Sequence, residues 1–193
     1  MLRWIRIRRK PGFVRGLAIG LCAAGLLGTV IAADPLGMLI DRDSQLGLQL
    51  APLPLNLRGK SRGVVGYGSY LVNALGECNG CHAVNDYMPG GNPFLGQPAV
   101  IDTNAYLRGG RFFGIATSAS LRPDPTTGLP GNMTYAQFVA AMRHGTDPEA
   151  PGELLQVMPW PTYRNMADAE LNSIYQYLSA LPPAAPWSGG AAN

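Results

Sequence analysis

Five residues near the middle of the chain, Cys78-Asn79-Gly80-Cys81-His82, restrict what it can fold into more than any other feature. One helical turn places the two thiols along one edge of whatever they hold, with the imidazole close behind. A C-x-x-C pair serves few chemistries. A thioredoxin-like dithiol needs a strand–helix–strand context, and the flanking sequence has none. A structural zinc site needs four ligands, and no second Cys pair or Cys–His pair exists to complete one; the third cysteine, Cys22, lies in an apolar run. Covalent haem attachment remains. There the two sulfurs add to the two vinyl groups of the ring as thioethers. The histidine that follows offers a neutral imidazole to the iron from one face. Cys78 and Cys81 are therefore assigned to covalent attachment of one haem c, and His82 to the iron.

The iron has a second axial position, and His144 and seven methionines are the candidates for it. Met1 and Met38 lie before the domain. Met88 follows His82 too closely to reach the opposite face. Met133, Met142 and Met166 fall at or inside helices and read as core or capping residues. Met158 stands before Pro159-Trp160-Pro161, where the prolines keep the backbone extended and stiff. Such a loop can present a thioether and resist losing it, so Met158 is the expected ligand. His144 is the alternative; it closes a helix at Met142-Arg143-His144-Gly145, where an imidazole also favourably meets the helix dipole. A vacant position open to a ligand is the third reading. Trp160 is expected to cover the haem edge or to give its N–H to a propionate.

The formal net charge of +3 misleads. Six cations, Arg3 to Arg15, precede the first acid, Asp34. They leave nine for the remainder against twelve acids, a net charge of −3. The basic character therefore belongs to the N-terminal segment, and a nucleic-acid role finds no support. Residues 16–33 carry no charge. As a helix they would span about 27 Å, close to the roughly 30 Å hydrocarbon core. Cations ahead of an apolar run keep the N-terminus in the cytoplasm and send the rest outward. Residues 1–33 are thus either a signal peptide cut near Ala32/Ala33 or an uncleaved anchor formed by an apolar helix over 16–33. Both place the remainder on the periplasmic side of the inner membrane.

Residues 34–62 contain Pro35, Pro52 and Pro54 without a helical period and are expected to form a linker or extended arm. The folded domain is expected over 63–182, with a flexible tail at 183–193. Helices are predicted at 63–76, 135–143 and 168–180. Thr134 and Gln137 match a capping box, and Gly145 sits where a helix ends. Pro182-Pro183 stops the last helix. Gly and Pro recur through 86–131, which reads as a long loop that needs something large to wrap around.

The run Tyr67-Gly68-Ser69-Tyr70-Leu71-Val72 before Cys78-x-x-Cys81-His82 resembles class I cytochromes c. Closer still is its likeness to single modules of the cytochrome c subunits of periplasmic alcohol and sugar dehydrogenases. Tyr106-Leu107-x-Gly109-Gly110, Leu121-x-Pro123-Asp124, Phe138-x-x-x-Met142-Arg143-x-Gly145, Val157-Met158-Pro159-Trp160 and Leu171-x-x-Ile174-x-x-Tyr177-Leu178 extend it over about 64–182. The resemblance implies an all-α cytochrome c fold, with short helices and long loops wrapped around one covalent haem. It implies that the first and last helices cross, with Gly66 or Gly68 allowing close approach to Tyr175 or Tyr177. It implies Met158 as the distal ligand and places Tyr70 at the haem pocket. Pro93 matches the segment whose carbonyl accepts the proximal histidine's N–H in that family. Those subunits usually carry three modules; this chain has one motif. It also has Ser120 where many members have Asn, and Arg122 could replace that contact by pairing with a propionate.

These features describe an electron carrier linking a periplasmic dehydrogenase to a terminal oxidase or another cytochrome, and not an enzyme. A haem-based redox or gas sensor with a displaceable Met158 is the competing reading. Lys60 is the one lysine after the N-terminal segment. Docking is therefore expected to rest on apolar surface more than on a cationic ring.

Overall fold

A computed structural model of the protein describes residues 35–189; the predicted N-terminal apolar helix lies outside the described residues. Those residues form helices α1 (Pro35–Leu50), α2 (Arg62–Tyr70), α3 (Cys78–His82), α4 (Tyr135–His144), α5 (Trp160–Tyr163) and α6 (Asp168–Leu178). Among the described residues there is no strand, only isolated bridges such as Ala83 with Gly109. None of their helices is long and apolar enough to cross a membrane.

The core forms where α2 crosses α6. Gly68 makes the crossing possible, because a Cβ there would lie 1.9 Å from the Ser173 carbonyl oxygen and 2.9 Å from Tyr177 Cβ. Val65, Val72, Tyr106, Leu107, Leu171, Tyr177 and Leu178 are buried around it. Each such side chain contributes about 1.5–3 kcal/mol through burial. Tyr106 and Tyr177 are the largest of them, and their hydroxyls are spent on each other at 2.7 Å, with Tyr106 also donating to Asn73 Oδ1 at 2.6 Å. Buried without such partners, each hydroxyl would cost about 1–3 kcal/mol.

The predicted helix over 63–76 is present but divides. α2 starts at Ser61, whose hydroxyl accepts the Val64 N–H. At Leu71–Leu75 it widens into a π-turn closed by Gly76 N–H donating to the Leu71 carbonyl at 2.7 Å. The extra residue re-aims the chain into Glu77, a left-handed residue (φ 44°) that starts α3. Helix α4 has the capping box of Thr134 and Gln137 and ends on Gly145 at φ 68°. At the start of α6 the Glu170 carboxylate accepts the Ala167 N–H at 2.6 Å.

Two expectations are corrected. Half of the segment read as a linker is α1, which begins with Pro35 at its first position, where a missing N–H costs nothing. Its close contact with α2 is backbone on backbone. A Cβ on Gly47 would lie 1.9 Å from the Gly66 carbonyl oxygen, and Ser69 Oγ donates to Gly47 O at 2.6 Å. Exposed Leu39, Leu46 and Leu50 on its other side blur the apolar period that a sequence reading looks for. Residues 51–61 then run irregularly over the core, with Leu53, Leu55 and Leu57 half-buried. Asn56 N–H donates to Ala180 O at 2.8 Å. The second correction concerns the tail, which is docked through residue 187. Ala184 N–H donates to Pro123 O at 3.0 Å and Trp187 N–H to Arg108 O at 2.9 Å.

Candidate haem-attachment site

The turn α3 carries Cys78, Cys81 and His82 together. Cys78 is half-buried and Cys81 exposed, and both are free thiols. Burial, with the nearby Cys81 adding to it, pushes the Cys78 thiol up to about 12. A dithiol that exchanges disulfides needs the opposite, a thiol held low. Asn79 is buried, and its Oδ1 accepts the Leu107 N–H at 3.0 Å. That bond ties the turn to Leu107, itself in a left-handed conformation (φ 55°).

His82 retains some solvent exposure, yet neighbouring protein crowds its imidazole enough to lower its pKa; a hydrogen bond from the ring partly offsets that. The bond joins Nδ1 to the Ala119 carbonyl at 2.8 Å. A carbonyl only accepts, so Nδ1 carries the proton and Nε2 keeps its lone pair. A carbonyl that accepts from the far ring nitrogen in this way orients a metal-ligating imidazole. The expectation for Pro93 is corrected here. Pro93 opens a 3₁₀ turn to Leu95, and its carbonyl accepts the Gly96 N–H at 3.0 Å. The reason is topological. The chain leaves His82, arches out through 86–102, and returns at Gly109, whose N–H donates to the His82 carbonyl at 2.7 Å. The return segment, not the arch, delivers the acceptor. Arg111 fastens the arch to it, donating from Nε to Ala83 O and from Nη2 to Asp86 Oδ1, both at 2.9 Å.

Met158 is half-buried and packs against the same core cluster as Cys78 and Tyr163. Its loop is tied at both ends. Upstream of it, Leu155 N–H donates to Gly145 O at 2.7 Å. Trp160 lies over Gly145, where a Cβ would come within 2.4 Å of the indole. Its Nε1–H donates to Leu155 O at 3.2 Å, so the donor expected to face a propionate is engaged with main chain. Downstream, Tyr163 Oη donates to Gly76 O at 3.2 Å, two residues before Cys78. Tyr163 feels the cysteines as well: burial raises its pKa, and the charges of Cys78, Cys81 and Glu77 add to the shift. The loop of Met158 is thus brought to the cysteine turn.

Two further pocket candidates have other partners. Arg122 is buried, and its Nε and Nη2 both donate to Pro182 O, at 2.8 and 2.5 Å, with Nη1 reaching Tyr106 O at 3.4 Å. It secures the tail rather than standing free for a carboxylate. Tyr70 stacks on Tyr67 with ring centres 6.4 Å apart. His144 is exposed at the end of α4. Sequence reasoning assigns no role to Ala119, Gly109, Asn79 or Tyr163. Asn79 carries a signal by lying inside the five-residue motif, and Gly109 by lying in the Tyr106-Leu107-x-Gly109-Gly110 likeness; a main-chain acceptor leaves none in a side-chain pattern.

The donor set fits haem c. Among the described residues no three His, Cys, Asp or Glu gather to hold a bare metal ion. Two thiols on one turn and an imidazole with Nε2 free match two thioether links and one axial bond.

The chain resembles a c-type cytochrome module. No family model matches it. It is 34% identical over 112 residues to a nicotinate dehydrogenase subunit from Pseudomonas putida, covering 58% of this chain and 8% of that protein. It is 29% identical over 111 residues to the cytochrome c subunit of quinone alcohol dehydrogenase from Gluconacetobacter polyoxogenes, covering 57% of this chain and 20% of that one. A diheme cytochrome c-type protein from Cereibacter sphaeroides is 28% identical over 108 residues, 56% and 33% of the two chains. The chain therefore spans a third or less of the length of these curated relatives.

Proposed function

We propose that the chain is a one-electron carrier on the periplasmic side of the inner membrane, using a single haem c with His82 and Met158 as axial ligands. The observation that carries the reading is the Nδ1–H bond from His82 to Ala119 O at 2.8 Å. It aims a deprotonated Nε2 from a turn that already presents Cys78 and Cys81 for the thioether links. When bound, the haem supplies a reversible Fe(III)/Fe(II) couple. Ala119 and Gly109 hold the imidazole and its backbone in place. The anchors at Gly145 and Gly76 hold the Met158 loop near the same turn. With both axial positions filled from the protein, the site passes electrons rather than binding a substrate.

The relatives' names supply the partner chemistry. Two of them are subunits of dehydrogenases, so the donor proposed here is a periplasmic dehydrogenase. The acceptor is a terminal oxidase or another cytochrome. Residues 16–33 anchor the chain in the membrane, or are removed near Ala32/Ala33. The test is expression with a c-type maturation system. Expected results are a haem stain that survives denaturing electrophoresis, one haem per chain by pyridine haemochrome, and loss of the stain in the Cys78→Ala/Cys81→Ala double variant. Haem that washes out on denaturation, or two haems per chain, would overturn the reading.

A further inference from the structure

We infer that Trp187 is a positioning residue for His82, acting from the C-terminal tail through Gly109, Gly110 and Ala119. This rests on the proposal that His82 is an iron ligand. The tail is strapped down at successive points. Arg122 donates to Pro182 O, Ala184 N–H to Pro123 O, and Arg108 Nε to Ala185 O at 2.8 Å. The strap ends on Trp187, whose ring lies 5.4 Å beneath the Arg108 guanidinium. Trp187 packs on Ala83, Val84 and Ala105, the first of which directly follows His82.

Gly110 touches the indole so closely that a Cβ would lie 3.0 Å from Trp187 Cβ. One residue earlier, a Cβ on Gly109 would lie 2.4 Å from Ser118 O and 2.5 Å from the Ala119 carbonyl carbon. The Gly109–Gly110 segment therefore touches both the tail ring, through Gly110, and the peptide whose oxygen accepts from His82 Nδ1, through Gly109. Gly109 also donates to the His82 carbonyl at 2.7 Å. Both glycines have left-handed φ, 70° and 90°, so an unsupported segment would have wide freedom to move. Trp187 removes that freedom. Its own Nε1–H is buried without a hydrogen-bond partner among the described residues. The indole is thus held for its shape, since an unpaired buried donor only costs.

Holoprotein variants test this. In Trp187→Ala, exchange of the His82 Nδ1–H with solvent, read from its paramagnetically shifted proton resonance, should accelerate roughly tenfold, the scale of losing a group that supports a metal ligand. The Fe(II)/Fe(III) ratio at a fixed solution potential should rise about threefold, because a looser N–H···O bond makes the imidazole a weaker donor to ferric iron. Trp187→Phe keeps the ring and deletes the orphan N–H, so it should match the wild type in both. A folded Trp187→Ala protein with wild-type exchange and ratio would overturn the inference. So would a fall in the ratio, which reports water entry rather than ligand positioning, or a Trp187→Phe protein that behaves like the alanine variant. If Trp187→Ala does not fold, Arg108→Gln decides. It frees the strap without opening a cavity, and should move both readouts in the same directions; no change there would equally overturn the inference. A wild-type protein without covalent haem would instead sink the haem reading. The strap would then be judged by Gly109 amide exchange, expected to be faster in Trp187→Ala.

Discussion

The His82 and Met158 ends of the site are built differently. At the His82 end, three separate main-chain groups converge: Ala119 O on the ring, Gly109 N–H on the His82 carbonyl, and Leu107 N–H on Asn79. They come from one return segment that the tail covers. At the Met158 end, one short loop hangs between Gly145, which accepts the Leu155 N–H and lies under Trp160, and Gly76, which accepts from Tyr163 Oη. Leu154 and Val157 beside the methionine are exposed. Three bonds to one covered segment loosen only when that segment opens. A short loop with exposed flanks, held at one point on each side, can open by itself. The structure thus assigns permanence to the histidine and lability to the methionine.

The largest expected effect follows directly. Met158→Ala should abolish the sulfur-to-iron band near roughly 695 nm in the ferric protein, expected of low-spin His–Met haem. It should also allow stoichiometric CO binding to the ferrous form, while covalent haem remains. A wild-type ferric protein that lacks the band, together with CO binding gained in His144→Ala but not in Met158→Ala, would reverse the ligand assignment. Rapid CO uptake by the wild type would favour a sensor over a carrier. Next in size is Gly145→Ala. The residue has φ 68°, and its Cβ would strike the Trp160 indole at 2.4 Å. Left-handed strain and overpacking together should cost about 2–4 kcal/mol, and the band should weaken. An unchanged band would mean that Trp160 does not hold the methionine loop.

Acid should probe the other end. In the haem-free Cys78→Ala/Cys81→Ala chain, where no iron occupies Nε2, crowding lowers the His82 pKa, so the folded state keeps it neutral where the unfolded chain begins to protonate. The stability this contributes is complete above the unfolded value of about 6.5. It is lost as pH falls below that value towards the lower folded one, at up to about 1.4 kcal/mol per pH unit. Denaturation midpoints between about pH 7.5 and 5.5, either side of that unfolded value, should show this fall. The slope should persist in His144→Gln, the only other histidine. A slope that vanishes in that variant would move the titration away from His82.

The cysteine turn, the capping box at Thr134 and the crossing of α2 and α6 are legible because each is written in side-chain types at fixed spacing. Gly68 can be read as a close approach, but Gly66 cannot be told from it; the structure gives Gly68 to α6 and Gly66 to α1. Helix α1 is hidden because its contact with α2 is made by Gly47 and Ser44, residues that leave no apolar stripe. Pro93 is the wrong acceptor for His82. Every residue has a carbonyl, so only the path of the chain through Gly109 decides which one arrives. The tail looks loose because prolines and alanines carry no helical pattern, yet Arg108 and Arg122 hold its carbonyls.

The smallest effect separates the two anchors of the methionine loop. Tyr163→Phe removes one hydrogen bond, Oη to Gly76 O at 3.2 Å, and nothing of the ring. The expected cost is about 1 kcal/mol, a shift of a few degrees in Tm for a domain of this size. Global stability alone would not distinguish this from any lost bond. A loop that opens by itself predicts more: the band near roughly 695 nm should disappear on heating before helix is lost, and earlier than in the wild type. Exchange at the His82 Nδ1–H should stay as it was. Gly76 begins the chain into Cys78, so a tyrosine that tensioned the whole cysteine turn would loosen both ends at once. Faster Nδ1–H exchange in Tyr163→Phe would therefore show that the two ends are one mechanical unit.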